Sequence, residues 1–509
     1  MTAVTDRPLY ERWVLIAAIV ASSMAFIDGT ALDVATPALQ ADLRVTGNDL
    51  FWISNAYALF LASLILVGGG LGDVYGRKRV FMAGIALFTL ASLACGFAPN
   101  VQVLIIARAV QGIGGALMTP GSLALISATF SDERRGAAIG AWSTFSTLTT
   151  IAGPVLGGVL ASAGLWRAVF WINLPLGLLA LWLLSRPGVP ESRDESKTRL
   201  DVPGAILITL SLALLTVGLT AAPGAAADDP TWLLVIGGVI ALGLFIVVEA
   251  RSPHPMMPLT LFQSRTFTGS NLLTLLLYGA LRIAPYFLIL NILQVQGYPE
   301  SVAGLTFLPL TFGLVLLSRW SGGMVAKVGA RPLLTIGPAI AGLGFLLLGL
   351  PGVTGGVADY WVTYFPGALV LGIGMGITVA PLTTAVMNAA PRANVGAASG
   401  TNNAVARVAA VLALAIAGGW ALSAFRANLE ARVPVDLSAE ARAALLEGAA
   451  AFGATEAPPG LTAPQTEAVT LAIRESFVGV YQQIALASAL LAWGSALCAW
   501  LTIRPRQPA

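Results

Sequence analysis

Five ionisable residues interrupt otherwise apolar stretches of this chain: Asp28, Asp33, Arg108, Arg282 and Arg407. A charge inside a bilayer is costly, so such a residue pairs with another, faces a water-filled path, or marks a route for protons or ions. An acid set against an arginine has a particular use there. Burial favours the neutral carboxylic acid and a nearby guanidinium favours the carboxylate, so parting and rejoining the two binds and releases a proton. Asp28 and Arg108 are assigned that role, with Asp28 as the proton carrier; a purely structural ion pair is the alternative. Asp33 lies about 140° further round the same helix, and is either a second proton-linked acid or a solvated helix end. Other chemistries lack their residues. Cys95 and Cys498 each sit in an apolar run, and the single histidine, His254, lies in Ser252-Pro253-His254-Pro255. No disulfide framework, metal site or haem site follows from them. The expected cofactor is none.

The elements that must place these residues are membrane-spanning helices. Hydrophobic residues make up 57% of the 509-residue chain and charged residues only 10%, against about 25% charged in a soluble domain. That shortage excludes a soluble enzyme, a disordered tail and a nucleic-acid binder, since a net charge of +3 cannot assemble a basic face. Stretches of bilayer-spanning length, about 20 apolar residues, lie near 13–35, 51–71, 80–97, 101–127, 138–163, 167–185, 203–222 and 230–249. Six more follow near 267–294, 301–320, 332–350, 360–388, 395–423 and 477–502. The first runs on past the core length of a cleavable signal.

Fourteen spans put both termini on one side. Nineteen of the 28 Lys and Arg residues fall in segments on that side and six on the other, so the positive-inside rule makes it the cytoplasm. The predicted architecture is therefore an all-α membrane protein with 14 transmembrane helices. It has a cytoplasmic N-terminus (1–12), an N-terminal six-helix half (13–185), a cytoplasmic linker (186–202) and an inserted helix pair (203–249). A cytoplasmic loop (250–266), a C-terminal six-helix half (267–502) and a cytoplasmic tail (503–509) complete it. The polar stretch 424–476 reads as a small external cap, with a helix near 438–451 and a capping box beginning at Thr462.

Helical rise places the intramembrane charges. Asp28 and Arg282 lie about 22 Å, and Arg407 about 20 Å, from the cytoplasmic ends of their spans, and Arg108 lies about 12 Å below the outer end of its own. All four then occupy the outer half of a hydrocarbon core about 30 Å thick. Arg282 has Tyr278, Asn291 and Gln294 nearby in sequence, and Pro285 frees the carbonyl of Leu281 beside it. These residues and Arg407 are assigned to a substrate cavity; for Arg282 the alternative is a structural pair with Asp28 or Asp33. Three arginines against one or two acids suit amphiphilic, zwitterionic or anionic cargo better than a lipophilic cation.

The chain also repeats. Gly112-Ile113-Gly114 returns as Gly372-Ile373-Gly374, and Gly136-Ala137-Ala138 with Gly140 returns as Gly396-Ala397-Ala398 with Gly400. Two like halves around an inserted pair suit a transporter built from parallel repeats with a midplane site. Five motifs then stand out. Gly69-Gly70-Leu71-Gly72-Asp73-Val74-Tyr75-Gly76-Arg77-Lys78-Arg79 joins spans two and three. Arg108-Ala109-Val110-Gln111-Gly112-Ile113-Gly114-Gly115 lies in span four, and Gly153-Pro154-Val155-Leu156-Gly157-Gly158 in span five. Span one reads Phe26-Ile27-Asp28-Gly29-Thr30-Ala31-Leu32-Asp33, and Trp166-Arg167 with Trp171-Ile172-Asn173-Leu174-Pro175 lies further on.

This set resembles the major facilitator superfamily and, within it, the fourteen-helix drug:proton antiporters. The resemblance implies the superfamily fold and a cytoplasmic gate loop at Gly69, Asp73, Gly76, Arg77 and Lys78. It also implies proton coupling through Asp28 and Arg108, and an antiporter helix at Gly153, Pro154, Gly157 and Gly158, for which a simple packing kink is the alternative. The second half has Ala326 where the gate loop's Asp would stand, which makes a latch one-sided. The implied activity is export of drug-like or amphiphilic small molecules in exchange for protons across a bacterial cytoplasmic membrane. The expected partners of this monomer are its substrate, protons and membrane lipids, with no nucleic acid. A dedicated exporter of an endogenous metabolite or lipid-like product remains open on the same motifs, and a membrane enzyme or non-transporting sensor is the remote alternative.

Overall fold

A computed structural model describes residues 7–193, 201–221, 229–253, 255–391, 395–434 and 437–505. His254 lies outside the described residues, as do Lys197, Arg199, Arg392 and Arg506 of the nineteen basic residues counted on the cytoplasmic side. Among those described, every regular element is a helix. In chain order these are α1 (Arg7–Leu43), α2 (Gly47–Tyr75), α3 (Arg77–Gly96), α4 (Val101–Thr129), α5 (Asp132–Ser162), α6 (Ala168–Trp171) and α7 (Asn173–Leu184). Next come α8 (Val202–Ala221), α9 (Thr231–Arg251), α10 (Arg265–Leu290), α11 (Glu300–Ala303), α12 (Leu308–Val328) and α13 (Ala330–Leu348). The last four are α14 (Tyr360–Asn388), α15 (Val395–Arg432), α16 (Ala439–Gly448) and α17 (Ala463–Thr502). Twelve helices among the described residues are long and apolar enough to cross a membrane, and Ala152–Ser162 and Ala168–Leu184 are shorter apolar helices. This is a multi-pass helical membrane protein.

Several helices, α1, α15 and α17 among them, outrun the apolar stretches that announced them. α1 continues through Pro37 to Leu43, α15 continues to Arg432, and α17 starts at Ala463. Apolarity marks where lipid ends, whereas a helix ends where its backbone finds a cap. At α17 that cap is a reciprocal box between Thr462 and Gln465. The external segment between helices is therefore 433–462, shorter than the predicted 424–476. It contains α16, capped by the Ser438 side chain, which accepts from the Ala441 N–H at 3.1 Å.

The chain divides into two compact units. The first is Met1–Ala35, Ile53–Ala213 and Gly237–Leu259; the second is Thr36–Trp52, Leu214–Ile236 and Thr260–Ala509. The unit boundaries fall inside α8 and α9, and the turn between α1 and α2 goes with the second unit. In the first unit α3 packs along α4 and α7, around a core that includes Tyr57, Phe81, Phe88, Met118, Ala180 and Leu184. In the second, α13 packs along α14 and α17, and α10 along α15 and α17.

Small residues set how closely these helices approach. A Cβ on Gly114 would lie 2.5 Å from the amide nitrogen of Phe88. One on Gly374 would collide with the amide nitrogen of Ala341. Phe88 and Ala341 are 253 positions apart and Gly114 and Gly374 are 260 apart, so each unit carries the same helix crossing. Likewise a Cβ on Gly112 would strike the carbonyl oxygen of Tyr57, and one on Gly372 that of Leu310. The repeat seen in the sequence is a repeat of backbone contacts.

Candidate functional site

Asp28 is fully buried in α1, and each of its carboxylate oxygens has a donor. Oδ2 accepts from Nη1 of Arg108 at 2.5 Å, and Oδ1 accepts from Nε2 of Gln111 at 2.8 Å. Arg108 and Gln111 stand three residues apart on α4 and so share one helix face. Nη1 of Arg108 also donates to Oε1 of Gln111 at 2.7 Å, and Nε donates to the carbonyl of Ile53 at 3.3 Å. Its guanidinium carbon lies 4.4 Å from the ring centroid of Tyr57, a cation–π contact. From Gln111 the network reaches Ser92 of α3 at 3.3 Å. The Ser92 hydroxyl donates to the carbonyl of Phe170 and accepts from Nδ2 of Asn173, both at 2.9 Å. A buried carboxylate, its counter-charge and three neutral polar groups are thus held by α1, α3, α4 and α7. Burial makes each of these bonds expensive to break. A displacement of α1 from α4 would leave Asp28 without its donors.

α5 abuts α1 within a turn of Asp28. A Cβ on Gly153 would collide with Oγ1 of Thr30, and one on Gly157 with the carbonyl oxygen of Ala31. Gly158 is buried and Pro154 half-buried. The antiporter-helix residues therefore bring α5 against the helix that carries the acid. Asp33 is half-buried inside α1, which continues ten residues beyond it. It does not stand at a helix end, which removes that reading.

The gate loop is a tight corner between α2 and α3. Gly76 has φ +107°, a conformation that favours glycine. Asp73 accepts from Nε and Nη2 of Arg77 at 3.2 and 3.0 Å. The backbone amides of Lys78 and Arg79 donate to the two oxygens of Glu191 at 2.9 and 3.2 Å, and Nζ of Lys78 donates to the carbonyl of Val189. Glu191 thus serves as an acidic cap on the N-terminus of α3, where the helix dipole favours a negative charge. Gly69 lies 3.8 Å from Pro120 of α4, measured from an added Cβ.

In the second unit the assigned cavity residues separate. Arg282 is half-buried on α10 with its guanidinium carbon 5.2 Å from the Tyr286 ring centroid, and Tyr278 is half-buried one turn away. Asn291 and Gln294 fall instead in a π-helical turn, Asn291–Val295, which begins about 13 Å further along the axis. Asn291 donates to the hydroxyl of Tyr364, and Gln294 to Oε1 of Gln40, both at 2.9 Å. Neither joins Arg282, because nine to twelve helical residues separate them. Arg407 is half-buried on α15. Its neighbour Asn402 reaches α10, donating to Oδ1 of Asn271 at 3.1 Å and Oγ1 of Thr274 at 2.7 Å.

Residues 18–414 match the family model described as Major Facilitator Superfamily. The chain belongs to the major facilitator superfamily. It is 34% identical over 421 residues to the multidrug resistance protein Stp of Mycobacterium tuberculosis, covering 81% of this chain and 76% of that one. It is 31% identical over 504 residues to the tetracenomycin C resistance and export protein of Streptomyces glaucescens, covering 95% and 90%. The solved structure of a bacterial homologue of the human lysosomal transporter Spinster superposes with a TM-score of 0.62 at 18% identity, covering 98% of this chain and 99% of that one; that likeness concerns the fold.

The major facilitator repeat makes one asymmetry informative. At the 260-residue offset that matches α4 to α14, Arg108 and Gln111 correspond to Ala368 and Leu371. Helix packing is duplicated while the ionic site is not. Sequence reasoning chose Asp28 and Arg108 because charges in apolar runs stand out. It missed Gln111, Ser92, Tyr57 and Asn173 as members of the site. Gln111 had a signal, since it sits one turn from Arg108; Ser92 had none, because a lone serine is unremarkable in a membrane helix.

Proposed function

We propose that this major facilitator protein is a proton-coupled exporter of drug-like or amphiphilic small molecules, working as a monomer in a bacterial cytoplasmic membrane. Fourteen spans with both termini inside make the topology: α5 and the α6–α7 segment complete the twelve longer spans. The single observation that carries the coupling is Asp28, buried with Arg108 and Gln111 on its two oxygens. Proton uptake follows when α1 and α4 part, and release follows when they rejoin. The gate loop (Gly69, Asp73, Gly76, Arg77, Lys78) and the antiporter helix (Gly153, Pro154, Gly157, Gly158) control that motion, and Asp33 is a second acid on the outward proton route. Arg282, Tyr278 and Arg407 contact cargo, which for that reason includes anionic or zwitterionic amphiphiles. The proton gradient supplies the energy and no cofactor is needed.

A dedicated exporter of one product is the second reading. The tetracenomycin C relative, aligned over 95% of this chain, favours it. Purified protein in liposomes with an imposed pH gradient tests both, using cationic, anionic and neutral amphiphiles. Uphill accumulation should require the gradient and disappear in Asp28→Asn, while downhill counterflow persists. Uphill transport by Asp28→Asn would refute the assignment. Transport of one chemical class alone would favour the dedicated exporter.

A further inference from the structure

A pair of buried acids lies in the first unit, at the foot of the inserted helices and outside every motif discussed so far. Asp201 precedes α8 and is 6% exposed; Glu249, in the last turn of α9, is 2% exposed. One oxygen of each is engaged by the backbone. Oδ1 of Asp201 accepts from the amide of Gly204 at 2.9 Å, and Oε2 of Glu249 accepts from the amide of Met257 at 3.0 Å. The other two oxygens, Oδ2 of Asp201 and Oε1 of Glu249, are buried with no hydrogen-bond partner. Both point at the space left by the missing side chain of Gly204: a Cβ there would lie 2.9 Å from the first and 3.0 Å from the second. The two free oxygens therefore border the same small space beside Gly204.

Two acceptors facing each other need something between them. Ionised carboxylates only accept, and unpaired buried charges cost several kcal/mol each. Asp201 is the charged group that faces Glu249, and no cation among the described residues compensates. A metal ion would ask for about six oxygen ligands, whereas a proton needs two. Helix dipoles divide the roles. An anion is favoured at a helix N-terminus and disfavoured in a last turn, which makes Asp201 the carboxylate and Glu249 the acid. We propose that Asp201 and Glu249 share one proton, forming a proton-binding site distinct from Asp28 that ties α8, α9 and the segment after α9 together. Loss of that proton leaves two buried carboxylates in contact and releases Met257 from Glu249, so the segment leading into α10 responds to pH on the side predicted to be cytoplasmic.

The full-length protein in an Asp28→Asn background isolates this pair from the coupling site, so the outcome is independent of the export reading. Its infrared spectrum at neutral pH should show the C=O stretch of a protonated carboxyl, and Glu249→Gln should remove it. Thermal unfolding gives the second readout. A proton held by the folded pair and released on unfolding makes the unfolding constant rise by up to about tenfold per pH unit. The rise begins above the usual carboxylate range and levels off once the folded pair has lost its proton too. Glu249→Gln, whose amide donates permanently to Asp201, should flatten that slope; Asp201→Asn provides the same test if Glu249→Gln does not fold. Replacing potassium with sodium should change nothing. The proposal fails if the band is absent, if parent and variant share one pH slope, or if sodium shifts the midpoint, which would point to a metal cation.

Discussion

Both oxygens of Asp28 are satisfied by donors from a single face of α4, so the acid is held by geometry as much as by charge. Arg108 cannot be exchanged for lysine there. Its planar fork engages Asp28, Gln111 and the carbonyl of Ile53 while its face meets Tyr57, and an ammonium cannot reproduce that set. Gln111 is the neutral member that keeps the second oxygen bonded. Gln111→Leu strips a donor from a buried carboxylate, a loss of about 1–3 kcal/mol. A lower unfolding midpoint in detergent is expected, together with a displaced pH optimum of transport. An unchanged midpoint would show that Gln111 does not support the pair.

Helix contacts in both units run through small residues. Gly157 is where α5 meets the backbone of α1, so Gly157→Val must push the two helices apart. Overpacking of this kind costs about 1–3 kcal/mol, and here it also moves the helix that carries Asp28. Export should fall well below that of Gly243→Ala, a control whose added methyl meets nothing within 4 Å; equal transport by the two would contradict a role for the α1–α5 contact. The external segment supplies a second case. Phe452, at φ 58°, is 1% exposed with its ring 4.7 Å from Phe477 and 5.3 Å from Phe425 between centroids. The carbonyl beside it, on Ala451, accepts from Gln40 at 2.9 Å. Phe452→Ala removes the anchor at a cost of about 3–5 kcal/mol, so limited proteolysis between 433 and 462 should accelerate while the membrane helices stay intact. Equal cleavage rates would mean that the segment is held elsewhere.

For the whole molecule, the decisive property is the pairing of a duplicated scaffold with an unduplicated site. Ala368 and Leu371 stand where a second Arg108 and Gln111 would be, and Ala326 where a second Asp73 would be. The buried ion pair lies in one unit, then, while Arg282 and Arg407 belong to the other. Arg282→Ala should narrow the cargo range by depressing transport of anionic and zwitterionic amphiphiles more than of cations; identical profiles across a charge series would remove Arg282 from the cavity. The sequence by itself determined the helical membrane class, the approximate places of the long apolar helices, the repeat, the motifs and the Asp28–Arg108 pairing. A bilayer imposes its constraint along one dimension, as apolar length and charge placement, and that dimension is the sequence. Tertiary structure alone decided that Ser92 and Asn173 belong with Asp28, and that Asn291 and Gln294 are spent on Tyr364 and Gln40. It alone placed Asp201 against Glu249 and ran α1 on past Asp33. Those outcomes depend on helix rotation, on where a helix finds its cap, and on which distant turns meet, none of which leaves a periodic trace along the chain.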